Sequence, residues 1–167
     1  MFAGCLQLIW SHSHLMWARG ELYLQIMWSQ NCYVCGPDDL CLQVVTATAI
    51  KSAHILQFVD TDGSASRAYY AAFYAASALF IIRGQTFTSH KAIRSAVHRD
   101  LVKPGLWAKS LGADYDELLE RRQIGDYGSF LHVSAQDAAD AISAAERIMK
   151  AVHQIYPDNF PIVAICT

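Results

Sequence analysis

Near the N-terminus, three cysteines and two histidines are the residues best suited to chemistry. Cys32 and Cys35 form a CxxC pair, Cys41 follows them, and His12 and His14 form an HxH pair upstream. Thiolates and imidazoles can together hold a tetrahedral zinc ion. The second half of this set is one cysteine and a distant HxH rather than another close pair. The spacing therefore favours free thiols in a loop, with a zinc site as the alternative.

A second group is a run of basic side chains between Ser89 and Lys109, which contains five Lys or Arg residues and one acid, Asp100. At helical spacing Lys91, Arg94 and His98 share one face. Such a face can bind a phosphate group or an acidic partner. A solvated helix surface has the same composition, and we favour that interpretation over a binding patch.

Composition limits the classes of protein that this chain can belong to. Its 167 residues, 53% of them hydrophobic, predict one domain with a buried core. The net charge of −2 argues against a globally basic nucleic-acid binder, so no DNA partner is expected. No apolar run reaches the roughly 18 residues of a membrane span, so no membrane association is expected. The first residues lack a signal-peptide pattern, and we expect a cytoplasmic protein with reduced thiols.

Residues 1–41 differ from the rest of the chain. They hold three of the four tryptophans and four of the five cysteines but only four charged residues. Their apolar pieces keep neither the period of a strand nor that of a helix. Because local pattern and composition disagree, we expect a poorly ordered or loosely docked extension, or residues added by an upstream start.

The element that must position any site in the remainder is a long apolar helix between Asp62 and Gly84. Asp62 is the expected N-cap and Gly84 the expected residue after the C-cap. One stripe of this helix consists of Tyr69, Phe73, Ala76 and Phe80, flanked by Ala65, Ala72 and Leu79. A helix that is apolar nearly all round belongs in the middle of a bundle.

Four further helices are predicted around it. The first spans about 42–59 and buries Val45, Ala49, Ala53 and Leu56. The next, 89–103, is capped by Ser89 and buries Ile93, Ala96, Val97 and Leu101. Another starts at an Asp114 cap with Glu117 and is weakened and ended by Gly125 and Gly128. The last follows a Ser134–Asp137 capping box and buries Ala138, Ala141, Ile142, Ala145, Ile148, Met149 and Val152. The chain is thus predicted to be an all-α, up-and-down bundle of about five helices over residues 42–156, with a tail at 157–167.

Four short motifs in this region carry a family resemblance. They read SRAYYAAF at 66–73, SHK at 89–91, LVKPG at 101–105 and RQIGDY at 122–127, where Gly125 stands in place of the family's alanine. In this order and over about residues 50–152, they resemble an uncharacterised branch of the HEPN superfamily of small helical prokaryotic proteins. The first forty or so residues lie outside the resemblance.

The resemblance implies a helical domain that commonly forms a homodimer and is often encoded beside a minimal nucleotidyltransferase as a toxin–antitoxin pair. Many HEPN proteins are endoribonucleases that need no metal or other cofactor. In those, an Arg-x4–6-His motif from each subunit lines a cleft at the dimer interface. Histidine can move a proton there and arginine can hold the RNA phosphate in a bidentate fork.

This chain departs from that motif at its second position. Arg122 is present, but Tyr127 stands where the histidine is expected. Tyrosine, with a pKa near 10, is a poor general base at neutral pH. Asp126 could act as the base, but a carboxylate beside Arg122 is equally suited to an ion pair. We therefore interpret Arg122, Asp126 and Tyr127 as structural or interface residues first and as catalytic residues second.

Other side chains could complete a composite site if the helices bring them together. The binding residues predicted on this basis are Arg67, Tyr70, His90, Lys91, Arg94 and His98. Arg67 and Tyr70 could equally brace the Asp126–Tyr127 segment or a dimer contact.

Three functions follow as hypotheses. The first is a dimeric module that binds a nucleotidyltransferase partner and has little or no catalytic activity. The second is a metal-independent endoribonuclease that uses the Arg-x4-Tyr form of the motif. The third is a nucleotide- or RNA-binding domain that does not cleave. The missing histidine favours the first.

Overall fold

The computed structural model describes residues 40–127 and 131–157, with the backbone alone for Leu40, Cys41 and Tyr127. These residues form five α-helices and no strand: α1 (Leu40–Leu56), α2 (Thr61–Ile82), α3 (His90–Ala96), α4 (Lys109–Tyr127) and α5 (Ala135–Ile155). A π-helical turn, Val97–Val102, continues α3 directly. The all-α prediction is confirmed. The zinc hypothesis, most of the N-terminal extension and nearly all of the C-terminal tail lie outside the described residues.

Helix α2 is the centre of the bundle, as its composition predicts. It packs against α1, α4 and α5, and its 22 residues span about 33 Å. Tyr69, Phe73 and Phe80 are almost completely buried, and so are the alanines around them. The small side chains let the neighbouring helices approach closely, while the aromatic rings fill the spaces between them.

The N-terminus of α2 is capped by a different residue from the one predicted, whereas the predicted glycine follows its C-terminus. The N-cap is Asp60, whose Oδ1 accepts a hydrogen bond from Gly63 N at 2.9 Å, so the assignment of Asp62 was wrong. Asp62 Oδ1 accepts instead from Val133 N, and its Oδ2 lies 2.6 Å from His132 Nδ1. Gly84 follows the helix with a φ of 72°, the left-handed conformation expected for it.

The buried face of α1 differs from the predicted stripe. Ala49 and Ala53 are buried as expected, but Thr46 and Ile50 join them, whereas Val45 and Leu56 are only half-buried. Apolar residues of α1 itself lie on several of its faces, so the periodicity of the sequence alone does not identify the buried face.

Helix α3 and its π-helical turn bury the residues that the sequence predicts. Their geometry differs from the prediction, because the second part is π-helical. Ser89 Oγ caps α3 by accepting from Ala92 N at 3.2 Å. The four residues predicted to face the core, Ile93, Ala96, Val97 and Leu101, are all buried. The hydrogen bond from Lys103 N to His98 O at 2.9 Å spans five residues, which is the π-helical pattern.

Helix α4 contradicts two predictions. It begins at Lys109, so Asp114 is not its cap; the Asp114 carboxylate forms a two-point ion pair with Arg147 of α5 at 2.8 and 2.9 Å. The other prediction fails only for Gly125, which lies inside the helix; α4 ends at Tyr127, directly before Gly128. A Cβ added to Gly125 would lie 2.9 Å from the carbonyl oxygen of Asp62, so Gly125 lets α4 cross close to the first turn of α2.

Helix α5 closes the bundle. Ser134 Oγ accepts from Asp137 N at 3.0 Å, which confirms the predicted cap. The predicted apolar face is buried except for Met149, which is half-buried. No helix in the described part of the chain combines the length and the apolar character that crossing a bilayer requires.

Candidate functional site

Three of the four sequence motifs meet in one polar cluster between α2, α3 and α4. We call it the Arg122 cluster, and it consists of Ser66, Tyr69, Tyr70, His90, Arg122 and Asp126. The α2 residues lie at positions i, i+3 and i+4, so one face of that helix presents all three. The N-terminus of α3 supplies the histidine, and the last turns of α4 supply the arginine and the aspartate.

The guanidinium of Arg122 is the centre of the cluster. Its Nε lies 2.9 Å from Asp126 Oδ2, one helical turn away, and its Nη2 donates to the Tyr70 hydroxyl at 3.2 Å. Its Cζ lies 5.6 Å from the ring centre of Tyr69 and 5.3 Å from that of Tyr70, within the range of cation–π attraction. Only 13% of the Arg122 side chain is exposed. The guanidinium is therefore held in place from several directions.

Asp126 is held in turn by α2. Its Oδ1 accepts a hydrogen bond from Ser66 Oγ at 2.9 Å, while Oδ2 pairs with Arg122. Both carboxylate oxygens are therefore engaged within the cluster. The close crossing at Gly125 is what brings this turn of α4 within reach of Ser66.

His90 lies against the same tyrosines as Arg122. Its Nδ1 is 2.7 Å from the Tyr69 hydroxyl, and its ring centre lies 5.5 Å from that of Tyr69 and 6.0 Å from that of Tyr70. Phe73 covers it at a centroid distance of 4.5 Å. The structure thus brings an arginine and a histidine onto one pair of aromatic rings.

Burial and charge set the protonation states of the cluster. Burial, and then the neighbouring Arg122 cation, lower the pKa of His90 to about 4, with Asp126 opposing them, so the imidazole is neutral at pH 7. Burial works against the charged form of Arg122, but Tyr70, Asp126 and Tyr69 outweigh it and raise its pKa. At neutral pH the cluster thus holds a neutral histidine beside the Arg122 cation.

Four of the predicted binding residues do not join this cluster. Arg94 Nε and His98 Nε2 both contact Asp116 Oδ1, at 2.6 and 3.0 Å. These two bonds outweigh the burial of Asp116 and lower the pKa of its carboxyl. The remaining two, Arg67 and Lys91, are exposed. Of the six residues predicted to bind, only Tyr70 and His90 lie in the Arg122 cluster.

The three residues predicted from the Arg-x4-Tyr motif have different outcomes. Arg122 and Asp126 are adjacent and paired, as an ion-pair interpretation requires. Tyr127 is the last residue of α4, and its side chain lies outside the described residues.

Sequence reasoning assigned no polar role to Ser66 or Tyr69. Tyr69 was predicted only as part of the apolar stripe, yet its hydroxyl is the partner of His90 although the residue is completely buried. The positions 66, 69, 70 and 73 follow i, i+3, i+4 and i+7, which was the available signal that one face carries them all.

The cluster can bind an oxygen-bearing group more readily than it can move protons. A neutral histidine beside a guanidinium offers hydrogen-bond donors, but both oxygens of the one carboxylate are engaged. Within the described residues, no three or more His, Cys, Asp or Glu side chains converge as they would at a metal site.

Comparison with known proteins adds two findings. The family model described as "HEPN domain" matches residues 49–155. A protein of Thermotoga maritima named "UPF0332 protein" is 36% identical over 93 residues, which cover 56% of this chain and 70% of that protein. The family model thus covers α2, where the SRAYYAAF motif lies, and most of the helical bundle around it.

Proposed function

This chain belongs to the HEPN domain family, and from that premise we propose that it is a binding module rather than a nuclease. The proposed form is a cytoplasmic homodimer that engages a minimal nucleotidyltransferase in a toxin–antitoxin-type system. The observation that carries the proposal is the state of Arg122: its guanidinium is paired with Asp126 and bonded to Tyr70, and only 13% of its side chain is exposed.

A catalytic arginine in such a motif has to offer its donors to a phosphate. In this chain the Nε edge of Arg122 already faces a carboxylate. The position of the motif histidine holds Tyr127, so the usual proton-transfer group is absent from the motif. Both features support a role for the cluster in holding α2, α3 and α4 together and in shaping a binding surface.

The test is cleavage of a labelled single-stranded RNA in the presence of EDTA. Wild type and Arg122→Ala are compared with Arg99→Ala, which removes an exposed arginine that pairs only with its neighbour Asp100 among the described residues. We expect no cleavage above the protein-free blank by any of the three. Cleavage by wild type and Arg99→Ala that disappears in Arg122→Ala would overturn the proposal.

Partner binding is tested separately by co-expression with the minimal nucleotidyltransferase of the same genome. We expect the two proteins to co-purify in a fixed ratio and the protein alone to have the mass of a dimer by light scattering. A monomer that does not co-purify with the nucleotidyltransferase would contradict the binding role.

One observation favours the endoribonuclease as a second candidate. His90 lies on the same tyrosine rings as Arg122, so it could replace the histidine that the motif lacks. In that case His90→Ala would abolish cleavage along with Arg122→Ala. The third hypothesis, an RNA-binding domain, receives less support, because Arg94 and Arg99 of the basic run are paired with Asp116 and Asp100.

A further inference from the structure

Arg67 differs from the other arginines of the described residues because it has no partner. Most of those arginines pair with an acid: Arg94, Arg99, Arg121, Arg122 and Arg147. Arg83 contacts the Tyr156 hydroxyl. Arg67 is exposed, and in the described part of the chain it is the one arginine with neither an ion pair nor a side-chain hydrogen bond. No acid lies three or four positions from it on α2, the spacing at which charges pair along a helix.

Lys91 is a second exposed cation without a partner. It follows His90 in the first turn of α3 and has no ion pair among the described residues. The positions three and four residues away from it also hold no acid. Arg94, on the next turn, is held by Asp116. The charge of Lys91 is therefore available to a group from another molecule.

These two cations flank the exposed side of the Arg122 cluster. Arg67 directly follows Ser66 and lies one turn before Tyr70, and residues at this spacing are neighbours on a helix surface. Lys91 directly follows His90, whose ring centre lies 6.0 Å from that of Tyr70. Tyr70 and His90 are both half-buried. We call Arg67, Tyr70, His90 and Lys91 the Tyr70 surface.

The composition of the Tyr70 surface fits a protein better than a nucleic acid. Contact surfaces between proteins combine partly buried aromatic side chains and arginine with a charged rim. An RNA strand needs a longer row of cations that follows its phosphates. The next two arginines along the chain, Arg94 and Arg99, are already paired with acids. Two separate cations beside a tyrosine instead match single carboxylates around an apolar spot.

We propose that the Tyr70 surface is the docking site of the partner protein, with Tyr70 at its centre and with Arg67 and Lys91 each facing a carboxylate of the partner. This inference rests on the function proposed above and specifies the surface of the nucleotidyltransferase that fits: an apolar spot with acidic side chains on either side. Arg122 supports the surface from within the bundle, because its Nη2 donates to the Tyr70 hydroxyl at 3.2 Å. Charges at the rim of an interface act mainly on the rate of association and on its salt dependence.

The test follows binding of the purified nucleotidyltransferase to the immobilised full chain by biolayer interferometry, at low and at high NaCl concentration. Arg67→Glu and Lys91→Glu are compared with Lys150→Glu, which makes the same change as Lys91→Glu at an exposed position of α5. We expect the first two variants to associate about tenfold more slowly than wild type at low salt, and the difference to shrink at high salt. Lys150→Glu should associate like wild type, and circular dichroism checks that all three fold.

The outcomes separate this inference from the proposed function. If wild type binds the nucleotidyltransferase and Arg67→Glu and Lys91→Glu associate equally fast, the docking surface is wrong and the proposed function stands. If wild type does not bind, the function and the surface both fail.

The same variants are also tested for binding to a labelled single-stranded RNA and for their mass by light scattering. Loss of RNA binding or of the homodimer in Arg67→Glu and Lys91→Glu, with binding of the nucleotidyltransferase unchanged, would assign the Tyr70 surface to that other ligand and would overturn the proposal.

Discussion

At the scale of single residues, the contact between Arg122 and Asp126 determines how the cluster tolerates substitution. Asp126 is the carboxylate that faces the guanidinium, and the Arg122 side chain is largely buried. A buried cation that loses its counter-charge cannot recover the missing interaction from water. Asp126 should therefore contribute more to the free energy of unfolding than an aspartate that pairs with an exposed cation.

Asp126→Asn is expected to lower the free energy of unfolding by about 1–2 kcal/mol, because the amide keeps the shape of the side chain but not its charge. The matched control is Asp100→Asn, whose partner Arg99 is largely exposed, and little change is expected there. Urea denaturation of both variants measures the difference. Equal effects of the two substitutions would mean that Arg122 does not depend on Asp126.

A second prediction at this scale concerns pH. The pKa of His90 is lowered to about 4 from its usual 6.5, chiefly by burial, so the unfolded chain binds more protons than the folded chain between these values. Stability therefore rises with pH in this window: the contribution is complete above pH 6.5 and is lost as the pH falls toward 4. Because the ring is partly exposed, we expect a loss of about 1 kcal/mol between pH 7 and pH 5.

His90→Gln, which cannot titrate, isolates this contribution. The difference in unfolding free energy between pH 7 and pH 5 should be smaller in the variant by about that amount. The other histidines are unchanged in the comparison and cancel. An identical pH dependence in wild type and variant would show that His90 titrates normally in the folded protein.

At the scale of the elements, two glycines of α4 differ in the atoms that an added Cβ would contact: backbone atoms at one and side-chain atoms at the other. A Cβ at Gly125 would meet the backbone of Asp62 at 2.9 Å, whereas a Cβ at Gly112 would meet the side chains of Val102 and His98 at 2.9 and 3.1 Å. Backbone atoms in a packed first turn cannot move aside, but the ends of side chains can rotate. An alanine should therefore destabilise the protein more at position 125 than at position 112, although both positions are helical.

Gly125→Ala is expected to destabilise the fold by about 1–3 kcal/mol, since the overlap outweighs the gain in helix propensity. Gly112→Ala is expected to be close to neutral, because propensity and overlap offset one another. Thermal unfolding followed by circular dichroism measures both. If Gly125→Ala were as stable as Gly112→Ala, the close crossing of α2 and α4 would be wrong.

The elements also show what the sequence could predict and what it could not. The apolar stripes of α2, α3 and α5 and the caps at Ser89 and Ser134 were predictable, because each depends on residues within one or two turns. The role of Gly125 was not, since it depends on the backbone of Asp62, which is distant in sequence. Asp114 was mistaken for a cap for the same reason: its partner, Arg147, lies on another helix.

The candidate site was predictable only in part. The motifs identified Arg122, Asp126, Tyr70 and His90, and the spacing of the first two already suggested an ion pair, but no motif indicated that His90 lies on the tyrosines. Arg94 and His98 were grouped with them by charge, and Asp116 on α4 holds both elsewhere. Residue type identifies candidates, whereas three-dimensional neighbours decide which of them act together.

At the scale of the whole molecule, the described helices share one apolar core. The exposed large apolar residues among the described ones are few: Val44, Ile55, Phe58, Val59, Leu106 and Leu131. The family match begins at residue 49 and ends at residue 155, within the same part of the chain. The core of the family domain therefore coincides with the helical bundle.

If this core is sufficient, a chain lacking residues 1–37 should fold cooperatively with a melting temperature within about 3 °C of the full chain, which corresponds to less than about 1 kcal/mol for a protein of this size. The control lacks residues 1–50 and so loses the buried Thr46, Ala49 and Ile50 of α1; it should not fold cooperatively. Calorimetry and light scattering on the three chains measure stability and association together. A large drop in melting temperature with aggregation of the first variant would contradict the prediction. It would mean that the working domain is larger than the family match.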